Sequence, residues 1–139
     1  MTIEALGQVV SSVTGGLALL VSIYTYLRSV NYQHYAELDR GYADLLAMAI
    51  ERPFLRRPGA LATEDERMAY DAYAYMVWNF LETVCDRCRW NLFLRRTWYP
   101  VIDAENRIHR AWFDAPENHH KFKKPFRSLI LRKLPVGTA

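Results

Sequence analysis

Two cysteines, Cys85 and Cys88, stand in a C-x-x-C, the spacing at which paired thiols cycle with a disulfide or supply half of a zinc site. The redox version works at a helix N-terminus, where the dipole favours a thiolate. Here the motif closes a long helical stretch, and the dipole at that end opposes one. Zinc needs two further ligands. His109, His119 and His120 are present, but their spacing matches no standard finger. Cys85 and Cys88 therefore read first as small buried side chains. They and His109 are the only metal candidates, and no metal or other cofactor is expected.

Glu105 and His109 lie four residues apart, with Trp112 next along the same helix face. Such a pair has the chemistry of a general acid–base couple or of half a metal site. The two-histidine zinc-protease pattern, a glycine-rich phosphate loop and a nucleophile elbow are all missing from the sequence. The commoner fate of the pair is an ordinary charge pair on a helix surface. Glu82 closes the most apolar stretch of the chain, and a buried carboxylate needs a partner. His109 or Arg110 could supply it. The expectation is a polar link across the core built from Glu82, Glu105, His109 and Arg110, with no catalytic residue assigned.

The third candidate is a basic tail. From His119 onward the chain carries Lys121, Lys123, Lys124, Arg127, Arg132 and Lys133 and no acidic residue, although the net charge is only +3. The bland reading is a solvated helix face. The functional one is contact with anionic lipid. Nucleic acid is disfavoured, because Phe122 and Phe126 fall on the core-facing stripe and not among the lysines.

The elements that must position these groups are helical throughout. Ala5 to Leu27 is a run of 23 residues without a charge, and roughly 20 helical residues cross a hydrocarbon core of about 30 Å. Its hydroxyls can bond back to helix carbonyls. Tyr24 and Tyr26 stand near its end, followed by Arg28. A secretory signal would want positive charge ahead of the run and a small-residue cleavage site behind it. The leader MTIE and the tyrosine exit supply neither. Arg28 and Arg40 on the C-terminal flank predict the N-terminus outside and the rest of the chain in the cytoplasm. Ser11, Ser12, Gly15 and Gly16 give small residues at four-residue spacing, as in close-packed membrane helix pairs.

After the anchor, a helix over about 31–50 carries one apolar stripe of Tyr35, Leu38, Tyr42, Leu45, Leu46 and Ala49. With no Gly or Pro between Leu27 and Tyr32, it can continue the anchor as a single rod. Residues 52–62, with Pro53, Pro58 and Gly59, read as a loop. Thr63 and Glu66 form a capping box that opens the next helix. That helix is apolar nearly all round from Met68 to Leu81 and too short there to span a bilayer, so it reads as the central core helix. A fourth runs from about Thr97 to Phe113 with Pro100 in its first turn. A last begins near Pro125 and lines one face with Phe122, Phe126, Leu129, Ile130 and Leu134. The fold class is all-α: a transmembrane anchor over 1–30, a small cytoplasmic bundle of about four helices over 31–134, and a tail over 135–139.

The segments HYAELDRGYADLLAMAIERPFLRRP, AYMVWNFLETVCDR and TWYPVIDAENRIHRAWF resemble a loose group of uncharacterised bacterial single-pass membrane-anchored helical proteins. The resemblance covers nearly the whole chain and implies the same architecture and a bacterial inner membrane. It brings no assigned activity. The residues themselves carry the functional expectation: a body of about 110 residues is small for covering the all-round apolar Met68–Leu81 helix and leaves a patch for a partner. That points to a membrane-tethered interaction module or accessory subunit, in contact with lipid and with a second copy or another membrane protein. The alternative is a membrane-anchored effector, either a hydrolase or a membrane-perturbing stress or defence protein.

Overall fold

The structure, a computed structural model, describes residues 3–89 and 91–133. These form five α-helices, α1 (Ile3–Glu51), α2 (Glu64–Cys88), α3 (Leu92–Asp114), α4 (Pro116–His119) and α5 (Lys124–Lys133). Short 3-10 turns at Pro53–Arg56 and Pro58–Ala60 join α1 to α2, so part of the expected loop is helical. No strand occurs among the described residues. The chain divides into two compact units, Met1–Glu37 and Leu38–Ala139.

The first unit belongs to α1, which is uninterrupted through the Leu27–Tyr32 step. It is the one described helix long and apolar enough to cross a membrane. Ser12, Ser22 and Thr25 donate to the carbonyls four residues back at 2.8–2.9 Å, so these hydroxyls are satisfied within the helix. A Cβ added at Gly15 or Gly16 would meet nothing within 4 Å.

In the second unit the end of α1 buries Leu38, Leu45 and Ala49, the stripe expected from its spacing. Tyr42 stacks on Phe80 of α2 at 5.8 Å. α2 begins at its capping box, with Thr63 Oγ1 accepting from the Glu66 amide at 3.2 Å and the Glu66 carboxylate accepting from the Thr63 amide. Its buried face is Tyr70, Tyr73, Ala74, Val77, Trp78, Leu81, Val84 and Cys88. α2 is covered on one side only. Met68, Tyr75 and Met76 are 58%, 42% and 43% exposed, because the unit is too small to cover both sides of a seven-turn helix.

α3 opens five residues before the expected Thr97, because the Asn91 side chain accepts from the Phe93 and Leu94 amides and caps it there. Pro100 consequently lies inside the helix and not in its first turn. It removes the donor that would have reached the Arg96 carbonyl. α4 was not anticipated. It is a single turn between Ala115 and His120 that lets the chain reverse before α5. Phe122, Phe126 and Ile130 are buried as their spacing predicts. They close against α2 and α3 through Trp78–Phe126 at 6.1 Å, Phe113–Phe122 at 5.5 Å and Phe113–Phe126 at 6.1 Å. Offset and edge-on ring pairs of this kind stabilise beyond the area they bury. Leu134 and the expected 135–139 tail lie outside the described residues.

Candidate functional site

The polar centre of the second unit is built on Glu105 and His109, one turn apart on α3. Amphipathic spacing puts both on the face that meets α2, and they are only 1% and 0% exposed. They are not a surface charge pair. Glu105 Oε1 accepts from the Tyr42 hydroxyl of α1 at 2.9 Å and from the Arg56 guanidinium of the first 3-10 turn at 3.0 Å. Its other oxygen, Oε2, faces His109 Nε2 at 3.5 Å, the outer edge of hydrogen-bond reach. On the far side of the ring, His109 Nδ1 and the Tyr70 hydroxyl of α2 lie 3.1 Å apart. Tyr73 meets the imidazole edge-on at 5.6 Å and donates to the Leu45 carbonyl of α1 at 3.3 Å. Trp78 Nε1 donates to the His109 carbonyl at 3.2 Å.

Electrostatics match this geometry. Burial works against the charge on Glu105, yet His109, Tyr42 and Arg56 together outweigh it and hold the carboxyl below its ordinary range. Burial, reinforced by the Glu105 carboxylate, pushes the Tyr42 hydroxyl up to about 12. Tyr70 rises to about 12, mainly through burial and secondarily through Asp71. The arrangement favours an ionised Glu105 among neutral phenols and a paired guanidinium. It ties three elements to α3, and at this burial a substrate has no route to the pair.

The other sequence candidates fall elsewhere. Glu82 is half-buried and does not join the link. Its Oε1 accepts from the backbone N–H of Lys123 at 2.7 Å, while Asp86, one turn on, pairs with the Lys123 ammonium. The two α2 carboxylates thus hold the start of α5. Arg110 turns toward its own helix, with Nε 2.8 Å from both Asp114 oxygens and NH1 3.5 Å from Asn106. The core link therefore keeps Glu105 and His109 and replaces Glu82 and Arg110 with Tyr42, Arg56 and Tyr70. Tyr42 had a signal, a polar-tipped ring on a buried stripe. Arg56 had none, since nothing in the sequence separates it from Arg57.

Cys85 and Cys88 are free thiols, one half-buried and one buried. Burial pushes them up to about 12 and about 11, well away from a reactive thiolate. Among the described residues no three His, Cys, Asp or Glu side chains gather as a metal site. In the basic tail, Lys121 donates to Asn118 Oδ1 at 2.6 Å and sits 5.0 Å over the Trp112 ring. Lys123 is paired as above, and Arg127 is half-buried. Lys124 and Arg132 remain exposed and line a shallow groove along α5 with Pro125, Ser128 and Leu129. The Lys133 side chain lies outside the described residues.

No family model matches the chain, and comparison with curated proteins and with solved structures finds no match either.

Proposed function

We propose that the chain is a membrane-tethered helical interaction module. In this reading α1 spans a bacterial inner membrane with its N-terminus outside, and the second unit works on the cytoplasmic side as a self-associating or accessory subunit. The observation that carries the tether is the fate of the large apolar side chains from Val13 to Leu27. Val13, Leu17, Leu19, Leu20, Val21, Ile23 and Leu27 are all between 47% and 65% exposed, and an acyl environment is the solvent that suits such a run. The positive flank at Arg28 and Arg40 supports the orientation. The exposed α2 face of Met68, Tyr75 and Met76 offers a surface to a second copy or another membrane protein, and the open space around Gly15 and Gly16 allows close helix approach. Among the described tail side chains, Lys124 and Arg132 are the ones offered to anionic headgroups.

The burial of Glu105 and His109 weighs against a hydrolase built on that pair. An acid–base couple must reach a substrate proton, and Glu105 and His109 are sealed.

The test is membrane fractionation of the full chain, followed by light scattering in mild detergent. The proposal expects resistance to alkaline extraction, an intact N-terminus and a species larger than a monomer, reduced by Met68→Ser with Met76→Ser. Release by alkali, or a cleaved leader on N-terminal sequencing, overturns the tether. A clean monomer with nothing co-purifying overturns the interaction module.

A further inference from the structure

We infer that the first turn of α3 is a second membrane contact, seating Leu92 and Phe93 in the interface of an anionic bilayer. Leu92 is 73% and Phe93 71% exposed, while Leu94 beside them is buried at 1%. The exposure is held in place: the Asn91 cap on the Phe93 and Leu94 amides fixes the first turn of α3, so both side chains are presented by a regular helix end. In the sequence immediately flanking them the charge has one sign. Residues 87–96 carry Arg87, Arg89, Arg95 and Arg96 and no Asp or Glu. Arg89 and Arg96 are exposed, and Arg95 lies 5.1 Å over the Tyr99 ring.

The occupant follows from that chemistry. A protein groove reads a helix through anchors three and four residues apart, and here the exposed apolar residues are neighbours in a single turn. Such a pair forms a wedge that reaches a few ångströms deep, the depth of a headgroup and acyl boundary. Arginines on both sides in sequence suit phosphate oxygens at that boundary. The inference rests on the tether reading, since α1 is what keeps a bilayer at hand.

The experiment places the full chain in nanodiscs of phosphatidylcholine alone or mixed with phosphatidylglycerol. A nitroxide is attached at Phe93→Cys in a Cys85→Ser, Cys88→Ala background, and separately at Leu20→Cys to report on α1. The expected result is a several-fold rise in the ratio of oxygen to water-soluble nickel accessibility at position 93 in the anionic discs. The rise is lost with Arg95→Gln and Arg96→Gln. In the unmodified chain, hydrogen exchange of the first α3 amides should slow in anionic discs only. A label at 93 that is fully open to nickel, or shielded from both reagents as under a protein partner, overturns the inference. If position 20 lies in hydrocarbon and position 93 in water, the turn contact fails and the tether stands. If both lie in water, the tether fails and this contact fails with it.

Discussion

Arg56→Met is the sharpest probe of the buried cluster. The Glu105 side chain is 2% exposed and the Arg56 side chain 30%, with 3.0 Å between them. Removing one partner of a fully buried ion pair costs about 3–5 kcal/mol, because the other charge is left without compensation. Two features reduce that figure. Arg56 keeps part of its hydration in the folded state, and Tyr42 still donates to the same carboxylate oxygen. A loss of about 2 kcal/mol is expected, which lowers the midpoint of a unit of this size by roughly 8–16 °C. The assay is denaturant unfolding in detergent followed by tryptophan fluorescence. All four tryptophans lie between residues 78 and 112, so the signal reports the second unit alone. Adding Glu105→Gln should recover part of the loss, since no buried charge is then stranded, leaving a coupling energy of about 1–2 kcal/mol. Acid titration gives a second check. Glu105 lies below the ordinary carboxylate value of 4.5 in the folded state, so its contribution is complete above pH 4.5 and fades as pH falls through the folded value. The gap between wild type and Arg56→Met should therefore be widest near neutrality, begin to close as the carboxyl stripped of its guanidinium takes up a proton, and vanish below the wild-type folded value. A cost under about 0.5 kcal/mol, or purely additive effects of the two substitutions, would refute the account.

Cys85 and Cys88, held at about 12 and about 11, should resist iodoacetamide in the folded protein at pH 8 and react on unfolding; rapid native alkylation would contradict their placement. Ultraviolet titration should find Tyr42 and Tyr70 ionising near 12. Because those values are raised, their contribution is whole below the ordinary 10 and lost as pH climbs toward 12, so alkaline unfolding should track their ionisation. Thr63→Ala removes one half of the α2 capping box and should cost about 1 kcal/mol in the same unfolding assay. Pro100→Ala returns an N–H to the interior of α3 and should stabilise the unit by at most about 3 kcal/mol; a destabilisation would show that the helix needs the proline.

What the sequence determined by itself was local. The Thr63 box, the uncharged run in α1, and the stripes of α1 and α5 each depend on residues within a turn or two, and the backbone periodicity alone puts them on one side. The same local reasoning misplaced the start of α3, where the Asn91 cap was the overlooked signal and Pro100 the misleading one. Tertiary structure decided the rest. Glu105 finds Arg56 across 49 positions and Tyr42 across 63, and no spacing rule connects them. Chain closure brings one arginine of an adjacent pair to the carboxylate, and the low dielectric there makes the pairing consequential. Likewise α2 reads as apolar on all sides, but the number of neighbours a unit of this size can supply decides which side is covered. Packing geometry therefore left Met68, Tyr75 and Met76 outside and sealed His109 within.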